Sequence, residues 1–279
     1  DPITGTVKDV GMLAIQITAN DLASSGAEPV GVMLTVLLPE EIEEEDIREM
    51  MRQVEEACAH FHIQVMGGHT EVTRAVTQPV ISVTGVGKVR EDRLVSTAGA
   101  KPGQDILVTK WIGIEGTSII AKEKEKELLE RFSQAFVDTA KGFDQYLSVL
   151  PDSRIAVEHG VSAMHDVTEG GIYGALWEVA EASGIGLEID LKAIPIRQET
   201  IEICEYFELN PYYLISSGCM LMAADQGHDL VRKLEAAGIP AAVIGKATDG
   251  KARRIWNGGE ESYLERPKTD ELYKIYHKN

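Results

Sequence analysis

Between Pro29 and Pro39 runs Val-Gly-Val-Met-Leu-Thr-Val-Leu-Leu, an uninterrupted stretch without a charged residue. A run of this length and composition reads as a strand buried on both faces, and such strands belong to sheets covered by helices. The flanking segments supply those helices. Over residues 7–26, Val10, Leu13, Ala14, Ile17, Leu22 and Ala23 keep a helical period, with Gly26 as the stop. From Glu40 to about His60, Ile42, Ile47, Met50, Met51, Val54, Ala57 and Cys58 recur at spacings of three and four, one stripe of an amphipathic helix with Pro39 at its first turn. A short strand over 63–66 ends in Gly67-Gly68, and Val80–Val89 forms another. The order α-β-α-β-β predicts a helix layer on a sheet.

The rest of the chain repeats that alternation. The Gly99-Ala-Lys-Pro-Gly103 turn reads as a boundary, giving two domains, 1–95 and 96–279. Strands are predicted over 105–110, 162–167, 187–189, 219–224, 240–245 and 252–256. Helices are predicted from Gly116, over 133–149, from the Thr168-Glu-Gly-Gly171 segment to Ser183, and over 197–207 and 226–237. The fold class is α+β.

Charge narrows the partners. The formal net charge is −18, of which Glu40–Glu56 alone supplies −7. A polyanion binder presents a basic face, so neither nucleic acid nor an anionic membrane surface is an expected partner. The local acid run reads as a solvated helix face whose early carboxylates favour the macrodipole. No apolar run approaches the ~18 residues of a membrane helix. Cys58, Cys204 and Cys219 are too scattered for a disulfide framework or zinc site, and a reducing cytoplasm is the expected setting. The chain opens Asp1-Pro-Ile-Thr4, which reads as a trimmed piece rather than a natural start.

The common nucleotide and hydrolase signatures are missing: no G-x-x-x-x-G-K-[ST], no G-x-G-x-x-G, no G-x-S-x-G, no H-E-x-x-H. Three short polar segments remain. They are Asn20-Asp21-Leu22-Ala23 with Gly26-Ala-Glu-Pro29, Gly67-Gly-His-Thr-Glu-Val-Thr73, and His165-Asp-Val-Thr-Glu-Gly-Gly171. Each sets a carboxylate near a strand end, and the last two carry paired glycines. Hard oxygen donors suit Mg²⁺, which takes one or two carboxylates together with substrate phosphates, and paired glycines let backbone approach a phosphate. Together they suggest a metal–phosphate site without a P-loop. Plainer roles stand beside this one. Asp21 can serve a helix end, His69 and His165 can be rim histidines, Asp166 or Thr168 can cap the following helix, and Cys219 can pack as a small apolar group. Met50, Met51, Met220 and Met222 read as core.

Taken in order, Asp1-Pro-Ile-Thr4, Ala19-Asn-Asp-Leu-Ala23, Gly26-Ala-Glu-Pro29, Gly67-Gly-His-Thr-Glu71, Asp166-Val-Thr-Glu-Gly-Gly171 and Ser216-Ser-Gly218 resemble the aminoimidazole ribonucleotide synthetase (PurM-like) superfamily across essentially the whole chain. The nearest resemblance is to its hydrogenase-maturation carbamoyl dehydratase branch and synthetase-related relatives. That resemblance implies an N-terminal ferredoxin-like domain, lacking its first strands here, and a C-terminal α/β domain. It also implies a homodimer formed through the N-terminal domain, with ATP and Mg²⁺ as cofactors. By the same correspondence Asp1, Asp21 and Glu71 hold metal. Asn20, Asp21, Gly67, Gly68, Thr70, Glu71, Gly170 and Gly171 contact the nucleotide, and His69 and Asp166 take part in catalysis. The implied activity is phosphoryl transfer from ATP to a small acceptor, an amide-like carbonyl oxygen, by an ATP-dependent ligase or phosphotransferase. The alternatives are a non-catalytic nucleotide-binding dimer or maturation accessory protein, and a kinase similar to thiamine monophosphate kinase. The chain departs from the maturation branch in ending Ile275-Tyr-His-Lys-Asn279 without a terminal cysteine. It also has Glu169 where that branch has Arg.

Overall fold

The computed structural model describes residues 9–277, in two compact units that divide after Asp92. Asp1 and its proposed metal role lie outside the described residues.

The first unit is α1 (Val10–Ser24), β1 (Glu28–Leu38), α2 (Glu44–Phe61), β2 (Gln64–Val72) and β3 (Val80–Lys88), and its sheet has the order β2-β1-β3. β1 pairs parallel with β2 and antiparallel with β3. Val32, Leu34, Val36 and Leu38 are buried on one face of β1, whereas Met33 on the other is 44% exposed. Strand alternation decides this outcome. The long apolar run is therefore half-covered within this unit, not buried on both faces as expected.

α1 lies on the covered face. A Cβ at Gly85 of β3 would fall 2.5 Å from the Thr18 methyl, and one at Gly11 would strike the Met50 carbonyl of α2, so glycine permits both close approaches. α2 starts later than its pattern suggests, with Glu43 as N-cap, leaving Pro39 in the preceding turn. Met50, Val54, Ala57 and Cys58 of the stripe are buried, but Met51 is 37% exposed and is not core.

The second unit holds a seven-stranded sheet of order β10-β9-β6-β8-β4-β7-β5. Its strands are β4 (Asp105–Thr109), β5 (Ala163–Asp166), β6 (Gly186–Asp190), β7 (Met220–Ala224), β8 (Ala241–Thr248), β9 (Arg253–Asn257) and β10 (Glu260–Tyr263). The helices are α3 (Ile114–Glu123), α4 (Glu125–Leu128), α5 (Gln134–Lys141), α6 (Leu150–His159), α7 (Gly171–Ser183), α8 (Gln198–Phe207), α9 (Gly227–Ala236) and α10 (Lys274–His277). The single helix expected over 133–149 is instead α5 followed by a tighter 3-10 segment from Gly142 to Tyr146, and a further helix not expected from the sequence, α6, follows with Pro151 in its first turn. β4 and β7 are buried at every residue, and Ile106, Val108, Leu221, Ala223, Ile172, Leu176 and Val179 pack in one core. Helices and mixed sheets in both units give the α+β class anticipated above.

Candidate functional site

Strand direction collects one set of groups at a single end of the large sheet. β7 runs antiparallel to β4 and to β5, so the start of β7 meets the ends of both neighbours. Met220 N–H donates to Thr109 Oγ1 at 3.1 Å, and Asp166 stands opposite Met220 in the ladder. The segment before β7 (Ser216–Cys219), the start of α3 and the Asp166–Gly171 segment therefore converge. Ser216 Oγ accepts the Gly113 N–H at 2.7 Å, Ile215 O accepts the Gly116 N–H, and Cys219 O accepts the Val167 N–H.

Glu115, in the first turn of α3, is 1% exposed. Its Oε2 accepts the Ser217 N–H at 3.1 Å, while Oε1 has no hydrogen-bond partner. Burial pushes its carboxyl up to about 7, against the favourable Ser217 contact, with Asp270 and Glu169 raising it further. The buried side-chain atoms without a partner include Glu115 Oε1, Asp166 Oδ2 and Ser217 Oγ, all at this end of the sheet. Unpaired buried polar atoms are uncommon and mark places where a protein forgoes stability for another purpose.

The glycine segment is held from the C-terminal side. Gly170 is left-handed (φ 78°) and is the N-cap of α7, so neither Asp166 nor Thr168 caps that helix. Gly170 N–H donates to Asp270 Oδ2 at 2.7 Å, and Gly171 N–H to Thr168 O at 3.0 Å. Both glycine N–H groups are thus engaged within the chain. Asp270 is 4% exposed, and burial raises its carboxyl to about 6 although backbone N–H groups of Leu272, Gly170 and Ile215 favour its charge. Tyr273 hydroxyl donates to Glu169 at 2.7 Å.

The first unit carries the other candidates, and it does not bring them together. Asn20 is 1% exposed and accepts from Gln16 at 2.9 Å, an internal helix contact, while the next residue, Asp21, is exposed. Gly67, Gly68, His69, Thr70 and Glu71 are not a loop: β2 extends through them as a wholly exposed edge strand. Gly68 lies so close to β1 that a Cβ would meet Leu34 O at 2.0 Å, which explains that glycine as a packing requirement. His69 is in register with Thr35 and Glu71 with Leu37, so both side chains stand on the open face, 3.5 Å apart. Asp21 lies in α1, whose Thr18 and Leu22 pack over Gly85 on the covered face. Leu37 pairs with Val80, which is about 17 Å from Gly85 along the strand. Asp21 and Glu71 therefore cannot share one ion within this unit, and among the described residues no group of three or more His, Cys, Asp or Glu forms a metal cage. Exposed single carboxylates do suit an ion that arrives on a nucleotide's phosphates, where one or two protein ligands suffice.

Glu115 and Asp270 were not among the residues singled out by sequence. Glu115 had one signal, a lone acid between Ile114 and Gly116 in an apolar stretch; Asp270 had none.

Residues 2–89 match the N-terminal domain, and residues 101–257 the C-terminal domain, of AIR synthase related proteins. The chain belongs to that family. It is 31% identical over 245 residues to a protein named for hydrogenase expression and formation in Methanocaldococcus jannaschii, covering 86% of this chain and 70% of that one. It is 30% identical over 243 residues to the carbamoyl dehydratase HypE of Cupriavidus necator, covering 82% of this chain and 67% of that protein. The crystal structure of the hydrogenase maturation protein HypE in complex with ATP superposes with a TM-score of 0.83 at 22% identity, over 99% of this chain and 84% of that one, a likeness of fold.

Proposed function

We propose that the chain is an ATP- and Mg²⁺-dependent enzyme that transfers a phosphoryl group to a small acceptor through an amide-like carbonyl oxygen. The observation that carries this reading is the convergence of Glu115, Asp166 and Ser217 at one end of the large sheet, buried yet incompletely hydrogen-bonded. An amide oxygen leaves poorly and a phosphate leaves well, so phosphorylation is what makes such an acceptor reactive. The protein's part is positioning and electrostatics. Mg²⁺ arriving with the nucleotide's phosphates would neutralise charge on the transferring phosphoryl group, with Asp21 and Glu71 each serving a separate ion as a single carboxylate ligand. Asp166, buried at the end of β5, would orient the acceptor, while Gly170 and Gly171, held by Asp270 and Thr168, would shape the backbone beside it.

The same reading includes a homodimer through the first unit. Its sheet has an exposed edge strand and exposed apolar side chains at Met33, Met66, Val72 and Val86. An open strand edge beside exposed apolar side chains favours pairing with a second copy. Among the described residues no helix is long and apolar enough to cross a membrane.

Calorimetric titration with an ATP analogue and Mg²⁺ tests the proposal. Saturable binding that weakens in Asp21→Ala and Glu71→Ala, with phosphate release in the presence of carboxamides, is the expected result. Absence of binding would overturn the reading. Binding without turnover over a panel of amides and phosphate esters would reduce it to a nucleotide-sensing dimer.

A further inference from the structure

His165 stands beside Asp166 on β5, but its contacts belong to a different part of the second unit. Its Nδ1 lies 3.2 Å from Thr97 Oγ1, and its Nε2 lies 2.6 Å from Glu178 Oε2 on α7. The carboxylate can only accept, so Nε2 carries a proton and Nδ1 of the neutral ring is left to accept from the Thr97 hydroxyl. The Glu178 carboxyl is held below its ordinary range, first by this imidazole contact, which keeps it an acceptor. The Thr97 hydroxyl has one alternative acceptor, Met164 O at 3.3 Å. A hydroxyl, a ring nitrogen in reach of it, and a carboxylate on the opposite ring nitrogen are the arrangement that activates a weak oxygen nucleophile.

The arrangement opens into a groove of about 750 Å³ lined by Thr97, His165, Trp177, Glu178, Arg266 and Pro267. The His165 side chain is 21% exposed, so the ring is fixed on both sides yet reachable from the groove. Trp177 is held in place by Arg253, whose guanidinium carbon lies 3.9 Å from the ring centroid. Together with Pro267 it gives an apolar wall for an acyl or aryl group. The charges in the same lining are largely compensated, Glu178 by His165, Glu181 by Arg253, with Arg266 beside them, so the groove favours an uncharged donor.

We infer that Thr97, His165 and Glu178 form a second reactive site, in which Thr97 accepts acyl groups from small uncharged activated esters. Thr97 Oγ forms the new bond to the acyl carbon as its proton passes to His165 Nδ1. The bond from that carbon to the leaving alcohol then breaks, and the leaving oxygen takes the proton back from Nδ1. The products are an ester on Thr97 and a free alcohol. Glu178 keeps its hydrogen bond to Nε2 throughout and acts as an orienting residue.

The test is incubation of the full chain with 4-nitrophenyl acetate, followed by mass mapping and by the nitrophenolate time course. The expected result is an initial burst and an acetyl group on the peptide containing Thr97. Thr97→Ser should retain both, and Thr97→Val should lose both. His165→Gln should slow the burst by about 10²-fold or more, the contribution of a positioned base. Thermal melting of each variant confirms folding. Acetylation confined to lysines, or Thr97 acetylation at the same rate in His165→Gln, overturns the inference and leaves the nucleotide-dependent reading untouched.

Discussion

Asp270 Oδ2 accepts the N–H of Gly170, one hundred residues earlier, at 2.7 Å, so a carboxylate from the C-terminal segment sits at the N-terminal end of α7. Helix N-termini favour anions through their free N–H groups and dipole, and here the chain supplies the anion itself.

Removing that carboxylate should therefore loosen the glycine segment. Asp270→Ala leaves the Gly170 and Leu272 N–H groups without their acceptor, an expected loss of about 2–3 kcal/mol in urea unfolding. Asp270→Asn keeps an acceptor oxygen and should lose clearly less. Equal losses for the two variants would show that the hydrogen bonds are not what Asp270 contributes.

Glu115 should make stability pH-dependent near neutrality. Its carboxyl rises from an ordinary 4.5 to about 7 on folding, so between those values the folded chain holds a proton that the unfolded chain has released. Stability from this group is complete below the lower value and is lost as pH climbs through the upper one. Glu115→Gln keeps an acceptor for Ser217 and never ionises. Its stability relative to the wild type should rise by up to about 3 kcal/mol between pH 4.5 and pH 8. Urea titrations that stay parallel at the two pH values would contradict this.

Lys110 donates to both Asp152 oxygens, at 2.7 and 2.8 Å, with the two side chains 7% and 1% exposed. Lys110→Met strands a buried carboxylate and should cost about 3–5 kcal/mol, whereas Lys110→Met with Asp152→Leu should recover most of that loss. Denaturant midpoints of the single and double variants decide it. A double variant as unstable as the single would assign the pair a different role.

Neighbouring glycines should respond unequally. A Cβ on Gly171, at φ 59°, would lie 2.7 Å from both Tyr212 O and Leu214 O. One on Gly170, at φ 78°, would have its nearest neighbour at 3.6 Å. Gly170→Ala should bear only the left-handed backbone cost, about 1–2 kcal/mol. Gly171→Ala should lose clearly more, read as a lower melting temperature.

Periodicity made most elements legible before the fold was known, because burial on one face leaves a regular trace in sequence. β1 between its prolines and the stripe of α2 are examples. Three readings failed for physical reasons. β1 was expected to be covered twice, but nothing in one strand's sequence distinguishes a covered second face from an open one that keeps Met33 at 44% exposure. Paired glycines suggest a loop after Met66, where the sequence ends β2. Yet the strand passes through them, with Gly68 required by the approach of Leu34 O. α6 leaves no separate signal, because the apolar residues around Leu150 run on from the preceding segment without a gap. For the candidate site, Asp166 and the glycines were visible through their segment. Glu115 and Asp270 act through contacts made across roughly a hundred residues, as in Glu115 with Ser217 and Asp270 with Gly170, and no local pattern records such pairs.

One interior strand of the large sheet, β4, has a consequence for how the chain is made. β4 ends at Thr109, yet its two neighbours begin at Met220 and Ala241. The three strands of the first unit, by contrast, are complete at Lys88. During synthesis the first unit can therefore fold early, while the apolar residues of β4 wait for more than a hundred further residues to emerge. Long-range pairing of this kind is slow and leaves strand edges exposed in the meantime. Nascent chains halted between Thr109 and Met220 are thus the stage at which holding chaperones should engage the second unit most strongly.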